Sequence, residues 1–158
     1  MDPVERLTHD HHHLNRMVAS LREAMQEVAR GEREPIQLRD DVTEFLDLAQ
    51  DELFEHFEVE ETQLFPFVVE RLPELGETIE HLSVGHDRMC GAISRLERCS
   101  RLDDDAFGEQ IDQVIALIAR FDANYLRHAQ EEYDLIQVLA TRLDATDRDT
   151  VAKLLDEI

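Results

Sequence analysis

The segment FGEQIDQVIALIARFDANYLRHAQEEYDLIQVL, residues 107–139, decides the fold class of this chain. Its apolar side chains recur every three or four residues, which is the spacing of one face of an α-helix. A histidine and a glutamate fall in phase with that face. The whole face consists of Phe107, Ile111, Val114, Ile118, Phe121, Tyr125, His128, Glu132, Leu135 and Leu139. The pattern predicts a long helix that buries two polar residues among apolar ones.

Three earlier segments have the same periodicity. The first runs from Pro3 to about Arg30, the second from about Ile36 to Arg71, and the third from about Ile79 to Cys99. Because only short turns separate these segments, successive helices should be antiparallel. The sequence therefore predicts an all-α protein, an up-down-up-down antiparallel four-helix bundle over about residues 3–142.

Local signals set the ends of these helices. Gly31 should stop the first helix, and Asp103–Asp105 should cap the fourth. Pro66 should kink the second helix or end it early, because proline lacks an N–H and crowds the preceding turn. Thr146 is the predicted N-cap of a short C-terminal helix over about residues 147–157.

The composition agrees with one helical domain and narrows the range of partners. With 158 residues, of which 42% are apolar, residues 1–158 are expected to form a single domain. Asp and Glu number 37 against 16 Lys and Arg, and the net charge is −21. Such a surface repels phosphate backbones and anionic lipids, so we expect no nucleic-acid partner and no membrane partner.

The cysteines and the N-terminus favour a cytoplasmic location. No signal peptide follows Met1, and no uncharged run approaches the roughly 20 residues of a membrane span. Cys90 and Cys99 belong to one predicted helix, about 13 Å apart along its axis. They cannot form a disulfide with each other, which fits a reducing compartment.

Six polar side chains fall on the buried faces of the four predicted helices. They are His11, His56, Glu60, His86, His128 and Glu132. In the second and fourth helices the glutamate follows its histidine by four residues, so both side chains share one face. Unpaired imidazoles and carboxylates would be costly to bury, and a metal would remove that cost. We therefore interpret these six residues as metal ligands.

Helical phase selects His11 from the histidine-rich stretch at residues 9–13. It is the only histidine of that stretch in phase with the neighbouring apolar positions. The others, and His81 on the third helix, are expected to be exposed. His12 is the alternative ligand if the first helix is rotated.

The number and type of ligands favour two metal ions. Four imidazoles and two carboxylates are too many for one zinc ion and suit two redox-active ions. Mixed nitrogen and oxygen ligation favours iron or manganese over copper. If both glutamates bridge, each ion keeps a vacant position at which a small molecule such as O₂ could bind.

These residues together resemble the hemerythrin-like proteins of the HHE cation-binding domain family, of the bacterial type. The resemblance covers residues 4–142 and includes Leu64-Phe65-Pro66, just after the first His-x-x-x-Glu pair. It implies a non-haem di-iron centre in a four-helix bundle, with both glutamates bridging the two iron ions.

Two positions depart from the oxygen-carrying hemerythrins. Those carriers have His-x-x-x-His on the third helix, where this chain has Cys90 at the second position. On the fourth helix they have His-x-x-x-x-Asp, whereas residue 133 is Tyr133 and the carboxylate is Glu132. The set is closer to bacterial hemerythrin-like proteins linked with oxygen, peroxide, nitric oxide or iron handling.

Two further residues have a functional and a structural interpretation. Cys90, one turn after His86, is either a thiolate or redox-responsive group at the centre or a small buried thiol. Tyr125, one turn before His128, either supports or binds the metal or packs in the core. The sequence alone leaves both alternatives open.

Three functions are compatible with this sequence. The first is a di-iron protein that binds or reacts with O₂, peroxide or NO at an open iron position, as an enzyme or as a reversible binder. The second is an iron-handling, iron-centre repair or sensor protein whose site donates or reports on iron. The third is an interaction module in which the metal only stabilises the fold. The sequence does not identify a protein partner.

Overall fold

The computed structural model describes the backbone of residues 3–156 and the side chains of residues 14–154. Every regular element in that part of the chain is helical, which confirms the predicted all-α class. The helices are α1 (Pro3–Ala29), α2 (Pro35–Leu48), α3 (Phe54–Val59), α4 (Phe65–Arg71), α5 (Gly76–Ser100), α6 (Asp104–Glu109), α7 (Ile111–Arg142) and α8 (Ala145–Asp156).

The second predicted helix is continuous but not uniform. Two π-helical segments, π1 (Ala49–Leu53) and π2 (Glu60–Leu64), join α2, α3 and α4 into one composite helix, residues 35–71. In π2 the N–H of Phe65 donates to the carbonyl of Glu60, five residues earlier. The helix does not end at Pro66, because that residue occupies the first turn of α4, directly after the wide π turn.

Helix ends agree with the sequence in two places. Gly31 has a φ of +73°, the left-handed conformation that stops α1. Asp103 caps α6, since its carboxylate accepts a hydrogen bond of 2.8 Å from the N–H of Ala106.

Two predicted boundaries are wrong. The fourth helix is interrupted at Gln110, whose ψ of 16° departs from helical geometry, and it is therefore divided into α6 and α7. Asp144, not Thr146, caps the C-terminal helix, because its carboxylate accepts a hydrogen bond of 2.7 Å from the N–H of Asp147. Aspartate is at least as favourable as threonine at the N-cap position of a helix.

The apolar core has two parts, and the polar residues of interest lie between them. The larger part is built around Phe45 and Phe121, whose ring centroids are 4.9 Å apart. The smaller part includes Leu64, Leu82 and Leu135. Along the composite helix, α5 and α7, the buried histidines and glutamates lie around the boundary between the two parts.

Polar contacts fix the position of α1 against α7. The guanidinium of Arg22 donates two hydrogen bonds, of 2.8 and 2.7 Å, to the carboxylate of Asp122. The hydroxyl of Tyr125 donates to the side-chain oxygen of Asn15. Earlier residues of α1 therefore face later residues of α7, which brings the start of α1 toward the level of His128.

Within residues 3–156, no helix has both the length and the apolar character needed to cross a lipid bilayer.

Candidate metal centre

Five of the six predicted ligands come together in one buried cluster. They are His56, Glu60, His86, His128 and Glu132, each at most 6% exposed. They come from the composite helix, α5 and α7, the helices on which the sequence placed them. The side chain of the sixth, His11, lies outside the described residues.

Each of the two carboxylates faces two histidines. One oxygen of Glu60 contacts Nε2 of His56, and the other lies 3.1 Å from Nε2 of His86. The oxygens of Glu132 lie 3.5 Å from Nε2 of His56 and 3.3 Å from Nε2 of His128. This is the arrangement expected of carboxylates that are shared between two sites.

The donor atoms form two overlapping groups, each compact enough to surround one cation. The first consists of Glu60, His86 and His128, and the second of His56, Glu60 and Glu132. Within each group the donor atoms lie within 4.8 Å of one another. Glu60 belongs to both groups, so its carboxylate lies at the middle of the cluster.

Several of these buried atoms fit a bound metal. Within the described part of the chain, neither ring nitrogen of His128 has a hydrogen-bond partner, and the buried oxygens of Glu60 face only the Nε2 atoms of His56 and His86. Buried polar groups are normally satisfied, because leaving one unpaired costs about 1–3 kcal/mol. Metal ligation would satisfy Glu60 and one nitrogen of each histidine, and the imidazole and carboxylate donors suit iron or manganese.

In the absence of a metal the centre attracts protons. Burial lowers the pKa of His56, but the carboxylates of Glu60 and Glu132 outweigh burial and raise that pKa to about 10. The pKa of His86 is also raised, since Glu60 and Glu61 outweigh the effect of its burial. A cation binding here must therefore displace protons.

Glu61 is a functional candidate that the sequence analysis missed. Its Oε1 accepts a hydrogen bond of 2.7 Å from Nδ1 of His86, and its Oε2 accepts one of 2.9 Å from the hydroxyl of Ser83. A carboxylate can only accept here, so the proton of His86 is held on Nδ1 and Nε2 is left as the ligand atom. Glu61 therefore fixes both the tautomer and the orientation of His86.

Aromatic rings surround the histidines. The ring of Phe57 stacks on His86 with a centroid distance of 3.9 Å, and the ring of Phe65 is nearly parallel to His86 at 5.6 Å. Phe57 also meets His128 edge-on at 5.8 Å. Phe67, the next ring along the composite helix, is only partly buried.

Cys90 and Tyr125 lie outside both donor groups. Burial, with the charges of Asp87 and Glu61, raises the pKa of the half-buried Cys90 thiol, which favours its neutral form. Tyr125 is buried and packs against Phe121, and burial and the charge of Glu132 raise its pKa. These environments favour the packing interpretation of both residues.

Comparison with known families agrees with this cluster. The model of the hemerythrin HHE cation-binding domain matches residues 2–157, nearly the whole chain. The chain belongs to the hemerythrin HHE cation-binding domain family. No curated protein and no solved structure gives a significant match. Family membership and the buried His/Glu groups together make this a metal-binding helical protein.

Proposed function

We propose that this hemerythrin-family protein is a non-haem di-iron protein that binds or reacts with O₂, peroxide or NO. The observation that carries the proposal is the carboxylate of Glu60, whose two fully buried oxygens face the Nε2 atoms of two different histidines. Manganese is the alternative metal. We further propose that residues 1–158 form one domain with the topology of an up-down-up-down four-helix bundle. The protein is proposed to be cytoplasmic.

The ligands divide between two ions in this proposal. His86 and His128 would hold one ion, His56 and His11 the other, and Glu60 and Glu132 would be shared. The contacts between α1 and α7 support the part assigned to His11. Arg22 pairs with Asp122 and Asn15 with Tyr125, so a residue one turn before Asn15 approaches the level of His128.

The residues around the ions have separate tasks. Bound iron would supply electrons and an open coordination position for the small ligand. Glu61 holds His86 in one tautomer by accepting its Nδ1 proton. Phe57 and Phe65 cover the His86 ring and keep the centre dry, which strengthens every electrostatic interaction inside it.

Metal analysis with optical spectroscopy tests the di-iron proposal. The protein expressed with iron is expected to hold about two ions per chain, and His56→Ala and Glu132→Ala are expected to lose metal. His81→Ala is the matched control, because that imidazole is 77% exposed and lies outside both donor groups. Fewer than about two ions in the parent, or unchanged content in both ligand variants, would refute the dinuclear assignment.

Iron handling is the second candidate function. The raised pKa values of His56 and His86 favour it, because protons compete with the metal and mild acid would promote its release. Transfer of iron to a metal-free acceptor protein would support donation. Iron that resists a strong chelator, together with a stable NO or O₂ adduct, would support ligand binding instead.

A further inference from the structure

A cleft between α5 and α7 opens beside His128, one residue of the candidate metal centre. Its volume is about 90 Å³, several times the roughly 15 Å³ that one water requires. Gly85 and Arg88 of α5 line one side, and Asn124, Arg127 and His128 of α7 line the other. The buried His128 therefore belongs both to the candidate metal centre and to the wall of this cleft.

The two ring nitrogens of His128 have different surroundings. Nε2 lies 3.3 Å from Glu132 in the metal centre. Nδ1 approaches Gly85, where an added Cβ would be only 3.1 Å away. Among the described residues no group accepts a hydrogen bond from Nδ1. Nδ1 of His86, by contrast, donates a hydrogen bond to Glu61. Of the two histidines in this donor group, only His86 therefore has a carboxylate partner for its Nδ1 among the described residues.

The charges around the cleft favour an anion. Two arginines, Arg88 and Arg127, line it together with one carboxylate, that of Glu131. That carboxylate also lies 3.9 Å from Nδ1 of His81. A lining in which cations outnumber carboxylates is unusual on a chain whose net charge is −21. Arginine is also the side chain whose planar donors best match an oxyanion.

We propose that this cleft binds one small inorganic oxyanion, which accepts hydrogen bonds from Arg88 and Arg127 beside the side chain of His128. Nδ1 of His128 is closed to solvent, so the anion would act on the ring through its negative charge, which would make Nε2 a stronger ligand. This coupling to the metal rests on the proposed function. The cleft itself does not require the metal.

Titration with inorganic phosphate tests the cleft. The metal-loaded and the metal-free protein are titrated at constant ionic strength, set with sodium chloride, and binding is measured by calorimetry. We expect saturable binding of one phosphate per chain. Arg88→Gln/Arg127→Gln should weaken it by about tenfold or more, because two charge-assisted hydrogen bonds are lost. In the loaded parent, phosphate should also shift the optical spectrum of the metal centre.

A second double variant controls for charge. Arg95→Gln/Arg120→Gln removes two arginines from the same helices, outside the cleft, and should bind phosphate like the parent. Absence of saturable phosphate binding, or equal weakening in both double variants, would overturn the proposal and would mean that the cleft holds only water. Metal content is measured on the same samples, so loss of the di-iron centre is distinguished from failure of the cleft.

Discussion

The composite helix and α7 carry the same His-x-x-x-Glu motif on different backbones. Helix α7 is a regular α-helix of 32 residues, whereas the composite helix has a π segment on each side of His56. In α7, one glutamate serves the centre. In the composite helix, the consecutive residues Glu60 and Glu61 contact opposite ring nitrogens of His86. A motif of identical spacing therefore provides a ligand in one helix, and a ligand together with its supporting carboxylate in the other.

The sequence contained a signal for this difference. The inward positions of α7 alternate between steps of four and three residues. The inward positions of the composite helix include two runs of consecutive four-residue steps, Phe45, Ala49, Leu53 and His56, Glu60, Leu64. The average spacing in such runs, four residues, is longer than the 3.6-residue period of an α-helix. Each run ends within a π segment, whose wider turn contains one more residue than an α-helical turn.

The largest expected effect is the loss of metal on changing the shared carboxylate. Glu60→Gln keeps the shape of the side chain but removes a carboxylate that belongs to both donor groups. Glu132→Gln changes a member of one group, and it affects the other group only through the contact between Glu132 and His128. We expect Glu60→Gln to reduce the metal content to well below one ion per chain, and Glu132→Gln to retain about one. Metal analysis of proteins loaded under identical conditions measures the difference. Equal loss in both variants would contradict the central position of Glu60.

The second prediction removes the π turn. Deleting the exposed Thr62 should convert π2 to a regular turn, with the later residues still in phase. Pro66 would then lie in a helix interior, which destabilises by about 3 kcal/mol or more. Urea unfolding of the deletion variant, with and without Pro66→Ala, measures that cost, and the alanine should restore most of the stability. Without rescue by alanine, the link between the π turn and the proline would be wrong.

Most of the fold and the ligand set followed from periodicity, and the rest depended on contacts between helices. The phase of each helix placed His56, His86 and His128 inward, and the structure brings them together. Glu61 was missed because a regular helix would turn it about 100° away from Glu60. The role of Gly85 was equally hidden, since only the approach of His128 from another helix gives that glycine a function.

Substitutions at two glycines of α5, Gly85 and Gly91, test how α7 positions His128. The Cβ of Gly85→Ala would lie 3.1 Å from Nδ1 of His128, so the ring must shift, at a cost of about 1–3 kcal/mol. Gly91→Ala is the control, because nothing lies within 4 Å of its added Cβ. Gly91→Ala should stabilise the helix by about 0.5–1 kcal/mol. Gly85→Ala should weaken metal binding, whereas Gly91→Ala should leave the metal affinity unchanged. That difference would show that the loss comes from the displaced His128 ring.

The smallest expected effect is a difference in the number of protons released when metal binds, between a variant of His56 and a variant of the exposed His81. His56 has a pKa of about 10 in the folded, metal-free protein against about 6.5 in an unfolded chain, so at pH 7.5 it is protonated when folded and mostly neutral when unfolded. Stability gained from this proton is complete below pH 6.5 and declines as the pH rises toward 10. Binding of Mn²⁺ at pH 7.5 should therefore release roughly one proton from His56.

Calorimetry in buffers of different ionisation enthalpy measures that proton release, and urea unfolding of the metal-free protein measures the stability. His81→Gln, at the exposed imidazole, should release the same number of protons as the parent. His56→Gln should release about one fewer and should show a flatter decline of stability between pH 6.5 and 10. If His56→Gln and the parent release equal numbers of protons, the glutamates do not hold a proton on His56. The positive charge facing Glu60 and Glu132 in the metal-free protein would then have to come from another group.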